Sequence, residues 1–425
     1  MELFQTLGAG IENAWRAQNY NEEVFPDIAA DALRAANLPG KVSAWDVVEW
    51  TLRQSELPPQ KDPTANFGDP PITLFVAPRF YIDVYFWLDG TTQIHQHGFC
   101  GAFQVLLGSS IHSWYDFEPT ESINAFTEIG KMRLKVCELL KVGDVKQILA
   151  GRQYIHSLFH LDQPSATIVV RTEKSPLHLP QFSYLKPSLA FDPFFEHQTT
   201  TRKLQTIGAL FHVDHPDTDR LVSEILETSD FQTSLSVLSH IHGLLRGRPL
   251  GQLFNLEAPA ARFRAFLDIA LRRHGEKARN LSTVFEYSDR LNEIVRRRSY
   301  VTDPELRFFL ALLLNVESKE RIVWLINQRF PDTDAVEKIL DWTHDLANTR
   351  VVGVNTPNAL GIEGFDDVDL SILENLLRGR SDNELRDSLA SDYGREKLAG
   401  LDVDGKLDRI RASAIFQPLL AEPDA

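Results

Sequence analysis

The chain has 425 residues but only two cysteines, Cys100 and Cys137. Two cysteines provide no disulfide framework, and such sparing use is typical of proteins in a reducing compartment. Long apolar runs are also missing, since the longest, residues 308–314, is far too short to cross a bilayer. The first residues lack the charged and then apolar pattern of a secretory signal. These absences predict a cytoplasmic protein that does not span a membrane.

Positive charge is also scarce. The chain carries 44 Lys and Arg residues against 59 Asp and Glu residues, which gives a formal net charge of -15 at pH 7. A protein that binds nucleic acid or an anionic membrane through its overall charge needs the opposite balance. The charge therefore predicts neither nucleic acid nor a membrane surface as a partner.

The hydrophobic pattern divides the chain into three zones, and the length favours two or three domains. Residues 1–65 show the apolar spacing of helices, residues 66–200 show the short alternating runs of strands, and residues 201–425 return to helical spacing. Short strands separated by Gly and Asp are typical of a sandwich or a barrel. We predict an α+β protein with a central β-barrel, an N-terminal helical segment and a large C-terminal α-helical domain.

Two histidines, His95 and His97, lie two residues apart in the β-rich zone. A strand repeats every two residues, so both imidazoles project from the same face. In this way one strand can offer two nitrogen ligands to one metal ion. Neutral imidazoles bind divalent iron, zinc, nickel and manganese, so the pair predicts a metal site without naming the metal.

A second candidate block follows about fifty residues later and contains Tyr154, His156 and His160. The two histidines are four residues apart and have the same strand parity, so both could face the cavity that holds His95 and His97. The residues alone leave open which of the two is the third ligand.

Together the two blocks resemble the two motifs of the cupin superfamily. Gly90, His95, His97 and Gly108 match the first motif, and Gly143, Asp144 and Gly151 match the second. Gly101 stands where the first motif usually has a glutamate ligand, Leu149 replaces a proline, and two extra residues follow Gly151. The resemblance implies a double-stranded β-helix barrel, with His156 favoured as the third metal ligand and His160 as a neighbouring or substrate-contacting group.

A cupin that lacks the glutamate is similar to the thiol dioxygenases, the cysteine dioxygenase group. Residues 108–117 resemble the strand that follows the first motif in that group, and Tyr154-Ile155 precede the third histidine as a Tyr-Ile pair does there. The resemblance implies a non-haem iron dioxygenase that uses Fe(II), dioxygen and a small, thiol-bearing substrate.

The last strand departs from that group. In the thiol dioxygenases this strand carries three inward-facing residues, Ser, His and Tyr. The matching residues here are Thr167, Val169 and Arg171, so the catalytic tyrosine is absent. An arginine can hold an anionic substrate through two parallel hydrogen bonds, although an ion pair at the barrel rim would also explain it.

Three functions remain open at this point. The first is an iron oxygenase with His95, His97 and His156 as ligands and Arg171, His160 and Tyr154 as catalytic residues. The second is an isomerase or hydrolase that uses Zn, Ni or Mn at the same site. The third is a non-catalytic cupin that binds a small ligand and has a helical partner domain. A homodimer is also possible, and His112 is predicted to be a surface or cross-strand residue.

Overall fold

The computed structural model describes residues 1–61, 63, 68–88, 92–246, 257–298, 300–351 and 358–420, so Gly90 lies outside the described residues. The strands are β1 (Pro71–Val76), β2 (Phe80–Trp87), β3 (His95–His97), β4 (Gly101–Leu107), β5 (Ser110–Asn124), β6 (Thr127–Leu140), β7 (Val145–Ile148), β8 (Gly151–His160), β9 (Ser165–Thr172), β10 (Ser183–Leu185) and β11 (Leu189–Phe191). The helices are α1 (Glu2–Ala17), α2 (Phe25–Ala36), α3 (Ala44–Arg53), α4 (Gln198–His212), α5 (Thr218–Thr228), α6 (Phe231–Arg246), α7 (Glu257–His274), α8 (Arg279–Arg298), α9 (Pro304–Asn315), α10 (Lys319–Arg329), α11 (Ala335–Asn348), α12 (Asp367–Leu377), α13 (Asp382–Tyr393), α14 (Arg395–Ala399), α15 (Val403–Ala412) and α16 (Gln417–Leu420).

The strands form two sheets. One is five-stranded, in the order β1-β2-β9-β4-β7, and the other is a closed six-stranded barrel, in the order β10-β11-β6-β5-β8-β3. The protein is therefore a mixed helix and sheet structure with a small closed barrel, as the hydrophobic pattern predicts. The double-stranded β-helix topology and the three domain boundaries stay predictions.

Alternation along β2 separates two cores. Val84 and Phe86 face a core shared with α1, α2 and α3, whereas Tyr85 and Trp87 face an inner core between the two sheets. The same alternation holds in β9, where Val169 belongs to the inner core. A strand that is buried on both faces has an almost continuous run of apolar residues, and β2 has such a run. The inner core is where polar side chains can be held away from water.

Strand β8 supplies the opposite wall of the inner core. Tyr154 and Leu158 belong to the inner core, whereas Phe159 packs with the C-terminal helices on the outside of the barrel. His156 and His160 share the parity of Tyr154 and Leu158 and are both buried. Strand parity thus brings every even-numbered side chain from 154 to 160 to the inner face.

The hairpin of β5 and β6 is longer than the sequence predicts. The apolar pattern indicates strands only at residues 111–115 and 132–136, but the paired region extends to Asn124 and Thr127. The distal half is polar and contains Pro119, and the register shifts between Pro119 and Glu121. Polar residues and a proline weaken the local strand signal, so only pairing with the partner strand defines these ends.

Helix α9 joins the helical zone to the barrel. Asp303 accepts hydrogen bonds from the first turn, and Pro304 occupies a position where its missing N–H costs nothing. The helix is buried on every side, and its core cluster includes Ile111 and Phe159 from the barrel. A helix that is apolar all round must be covered on all sides. Within the described residues no helix has the length and hydropathy needed to cross a membrane.

Candidate metal centre

Three histidines meet where β3 pairs with β8. His95 and His156 are direct cross-strand partners, and the register shifts between His95 and His97. Irregular pairing of this kind re-aims side chains and is common beside functional sites. The ring centroids of His95, His97 and His156 lie 4.6 to 4.9 Å apart. One nitrogen from each ring lies within 4.8 Å of the others.

The three imidazoles are held in their neutral form. Burial lowers the pKa of His97 and of His156 well below the ordinary value. Neighbouring histidines add to the effect at both, and Arg171 and Lys174 add to it at His97. Burial also lowers the pKa of His95, although a hydrogen bond to the Gln93 carbonyl opposes this. That bond is 2.7 Å long, so Nδ1–H of His95 donates and Nε2 keeps its lone pair. Neutral imidazoles are the form that binds metal ions.

The nitrogen geometry fits a shared ion. Nε2 of His97 and Nε2 of His156 face each other at 3.0 Å. Two nitrogens that each lie about 2.1 Å from one ion, at right angles, are separated by about 3.0 Å. Two neutral rings in this arrangement can share only one proton, so at least one lone pair is directed into the space between them. A cation in that space would satisfy both rings.

A cavity of about 200 Å³ opens beside the cluster and is called the imidazole cavity here. Its walls are formed by His95, His97, Lys61, Pro71, Tyr81, Asp83, Tyr85, Phe99, Arg171, Lys174, Gln181 and Phe194. His156 stands behind His97 and does not line the cavity among the described residues. The cavity therefore joins two of the imidazoles to a mixed polar and aromatic wall.

Arg171 is the most unusual of the wall residues. Its side chain is buried, and the guanidinium carbon lies 3.3 Å from the ring centroid of Phe99 and 5.2 Å from that of Tyr81. Within the described part of the chain, Nε has no hydrogen-bond partner and the guanidinium has no carboxylate within ion-pair distance. A buried charge without a partner is costly, so the site favours an anion that supplies one. The ion-pair alternative for Arg171 has no partner among these residues.

The other charged groups of the cavity give it a positive balance. Lys61, Lys174 and Arg171 line it together with one carboxylate, Asp83, which accepts a 3.0 Å hydrogen bond from the Tyr85 hydroxyl. Lys61 also pairs with Glu173 at 2.5 Å. Arg171 and Lys174 are both close enough to help lower the pKa of His97. A positive cavity in a chain of net charge -15 is a local exception that would attract small anions.

Neither His160 nor Tyr154 lines the cavity among the described residues, and of the two only Tyr154 contacts the cluster. The ring of His160 stacks on Trp87 at 4.7 Å, and its Nδ1 lies 2.7 Å from the Ser165 hydroxyl. The ring of Tyr154 lies 4.4 Å from that of His156, with its hydroxyl turned away toward His112. The structure groups His156, and not His160, with His95 and His97.

For His112, the sequence predicts a surface or cross-strand residue, and the structure shows the second, since His112 pairs with Glu138 across β5 and β6. It is not at the surface, because its ring is buried and lies 5.4 Å from that of His156. Tyr154 donates to Nε2 of His112 at 2.9 Å, and Nδ1–H of His112 donates to Glu138 at 2.9 Å. The Glu138 carboxylate in turn accepts from Lys146 at 2.7 Å. Strand parity places His112 inside the barrel, but the hydrophobic pattern of residues 111–115 carries no such signal.

Glu138 is expected to make stability depend on pH. The His112 hydrogen bond, together with Lys146, lowers its pKa to about 2 from 4.5, and burial opposes this. The unfolded chain binds the proton more readily, so Glu138 stabilises the fold above about pH 4.5 and loses that contribution as the pH falls toward 2. Glu138→Gln should cost on the order of 2 kcal/mol at pH 7, with allowance for partial exposure.

The measurement is urea unfolding of the wild type and Glu138→Gln at pH 7 and pH 3. The difference in unfolding free energy should shrink to about half or less at pH 3. Glu118→Gln, at an exposed position of β5, is the control and should show no such change. An equal difference at both pH values would contradict the assignment of the Glu138 pKa.

Gly101 explains why no carboxylate joins the histidines from β4. A Cβ atom at this position would lie 2.0 Å from the carbonyl oxygen of Val170 and 2.9 Å from Cα of Arg171. Both atoms belong to the backbone of β9, so no side chain fits without separating the strands. The neighbouring Cys100 faces the N-terminal helices, and burial raises the pKa of its thiol to about 11. Neither residue is available as a further ligand.

Comparison with known proteins adds little. No protein family model matches the chain, and no curated protein matches it. Among the solved structures that match is a chain described in work on the mechanism of oxalate oxidase, with 15% sequence identity and a TM-score of 0.21. That match covers 44% of this chain and 80% of the other. A TM-score of this size does not establish a shared fold, so function has to be argued from the site itself.

Proposed function

We propose that the chain is a non-haem iron oxygenase of the cupin type that acts on a small anionic molecule. One observation carries the proposal: three neutral imidazoles cluster together, and two of them line a cavity that also contains a buried arginine with no ion-pair partner among the described residues. Metal ligands and an anion-binding group in one cavity are the two parts that such an enzyme needs.

His95, His97 and His156 would hold the metal. Three imidazole ligands suit divalent iron, and Gly101 leaves the position of a fourth protein ligand open. Iron(II) bound there would supply the electrons that make dioxygen reactive. His97 and His156 are buried and His95 is partly buried, and burial strengthens electrostatic interactions at the site.

Arg171 would bind and orient the substrate. Its guanidinium already rests on Phe99, so two parallel N–H groups are pre-positioned for a carboxylate or similar anion. Lys174 adds positive charge on the same wall, and the Asp83–Tyr85 pair offers a hydrogen-bonding contact to a polar group. A thiol group on the substrate stays a prediction from the sequence resemblance.

His160 and Tyr154 are proposed to take part in proton transfer through hydrogen-bonded neighbouring side chains, without contacting the substrate. The Tyr154 hydroxyl connects to His112 and Glu138, and Glu138 reaches Lys146 near the surface. Direct contact with the substrate is assigned to Arg171 alone among the three catalytic residues that the sequence suggests.

The test is the metal content of protein purified without oxygen, followed by oxygen consumption with a panel of thiols and small carboxylic acids. Near-stoichiometric iron with uptake on one substrate would support the proposal. Zinc, nickel or manganese with no uptake would favour an isomerase or hydrolase at the same site. Iron with no turnover of any kind would favour a binding protein, and no metal even after reconstitution would overturn the proposal.

Arg171→Leu tests the anion-binding role in the same assay. Loss of a charge-assisted hydrogen bond costs about 2 to 3 kcal/mol, so KM for the anionic substrate should rise about 30- to 150-fold with metal content unchanged. Arg133→Leu, at an exposed position of β6, is the matched control. An unchanged KM for Arg171→Leu would show that the substrate does not use this guanidinium.

A further inference from the structure

A second cavity of about 170 Å³ lies behind the metal centre, between the barrel and helices α8 and α9. We call it the rear cavity. It is lined by Thr92, Gln93, Ile94, Tyr115, Ser157, Tyr184, Leu185, Lys186, Val284, Tyr287, Ser288, Leu291, Asn292, Leu314 and Asn315, none of which lines the imidazole cavity. Its volume corresponds to about five or six water molecules, enough for a short organic acid.

Lys186 is the charged group of the rear cavity. Its side chain is only 5% exposed, and its ammonium lies 4.7 Å from the ring centroid of Tyr115 and 5.6 Å from that of Tyr287. It donates one hydrogen bond, 2.9 Å long, to Glu317. An ammonium has three donors, and no other described residue accepts a hydrogen bond from this one. Two buried donors are therefore available to a ligand.

Ser157 provides a second buried polar group. It follows His156 in β8, so its side chain points to the opposite face of the strand, toward the rear cavity. The side chain is buried, and Oγ has no hydrogen-bond partner among the described residues. Leaving a buried hydroxyl unsatisfied costs about 1 to 3 kcal/mol, and that cost would be recovered if a ligand oxygen bonded to it.

The surroundings select an anion with an apolar end. The Arg290 guanidinium carbon lies 4.4 Å from the ring centroid of Tyr287, and both Lys186 and Arg290 interact electrostatically with one carboxylate, that of Glu317. The balance of these three groups is one positive charge. Leu291 and Leu314 form an apolar stretch of the wall. A monocarboxylate with a short aliphatic chain complements both features, whereas a cation or a polyanion does not.

We propose that the rear cavity is a second ligand site, which binds a short-chain monocarboxylate through Lys186 and Ser157. The carboxylate accepts from the ammonium and from the serine hydroxyl, and the aliphatic chain packs on Leu291 and Leu314. Glu317 competes with the ligand for Lys186; its side chain is half-exposed and also accepts a hydrogen bond from the Tyr287 hydroxyl.

Occupation of the rear cavity also affects the metal centre, a consequence that rests on the proposed function. Gln93 and Ile94 form part of the cavity wall, and the Gln93 carbonyl fixes the Nδ1–H of His95 at 2.7 Å. A ligand that contacts this segment changes how firmly His95 is oriented, and orientation of a ligand histidine sets metal affinity. The site is therefore a regulatory one if the metal centre is functional.

The experiment is calorimetric titration of the full-length, metal-free protein with butyrate, with uncharged butyramide as the matched ligand. Butyrate should bind at least 10-fold more tightly than butyramide. Lys186→Met should reduce butyrate affinity at least 10-fold, and Ser157→Ala should reduce it about 3-fold or more. Glu317→Gln should increase it several-fold because the competing carboxylate is gone. Lys131→Met, at an exposed position of β6, is the control and should bind like the wild type.

The variants separate this site from the imidazole cavity. Arg171→Leu should retain the butyrate binding that Lys186→Met removes, and loss of that binding in Arg171→Leu with retention in Lys186→Met would overturn the proposal. Equal affinities for butyrate and butyramide, or an unchanged or lower affinity in Glu317→Gln, would also overturn it. Because the titration uses no metal, failure of the oxygenase proposal leaves this test intact, and the reverse also holds.

Discussion

Replacing His156 with alanine is expected to lower metal affinity more than about 100-fold, because it removes one of three ligands. His97→Ala should have the same effect, since the two Nε2 atoms face each other at 3.0 Å. The measurement is competition with a coloured chelator for iron(II) or zinc, at known concentrations of folded protein. Each variant should lose its metal to the chelator at chelator concentrations at which the wild type keeps its metal.

His160→Ala is the matched control for this prediction. It removes a buried imidazole from the same face of β8, but one that stacks on Trp87 and bonds to Ser165 rather than joining the cluster. Its metal affinity should stay within about threefold of the wild type, whatever its effect on stability. If His160→Ala lost the metal and His156→Ala kept it, the ligand set assigned here would be wrong.

Gly101→Ala is expected to lower the free energy of unfolding strongly, although it adds only one methyl group. The added Cβ would lie 2.0 Å from the Val170 carbonyl oxygen, and strand backbone cannot move aside as a flexible side chain can. The paired strands β4 and β9 must separate, at a cost of about 3 kcal/mol or more. Chemical unfolding measures this directly. Arg171 is the cross-strand partner of Gly101, so a shift there should also weaken substrate binding.

Gly10→Ala is the same substitution at a different site and is expected to raise the free energy of unfolding instead of lowering it. Gly10 lies in α1, is exposed, and has no atom within 4 Å of the position a Cβ would take. Alanine should stabilise the helix there by about 0.5 to 1 kcal/mol. An unfolding free energy for Gly101→Ala within about 0.5 kcal/mol of the wild type would contradict the close approach of the two strands.

Much of the candidate site could be predicted from short stretches of sequence. His95 and His97 share a strand face because of a two-residue period, and His156 and His160 share theirs for the same reason. What parity could not decide was which of the second pair meets the first. Cross-strand pairing of His95 with His156 decides it, and pairing between residues sixty positions apart is not a local property.

Other features of the site lacked any local signal. The sequence left His112 as a surface or cross-strand residue, and only the neighbouring β8 brings Tyr154 within hydrogen-bond distance of it. Arg171 could equally have been an ion-pair partner, and only the arrangement of β2, β4 and β9 leaves it facing a cavity with no carboxylate of the described residues within ion-pair distance. The rear cavity depends on α8 and α9 packing against the barrel, which no motif indicates.

The sequence by itself determined the order of helical and strand zones and the face on which each histidine projects. These properties follow from periodicity and composition within about twenty residues. The tertiary structure alone decided which histidines share a cluster, which charges stay unpaired and where cavities form. Those outcomes depend on which distant strands and helices become neighbours, and that choice is made by packing of the whole chain rather than by any one segment.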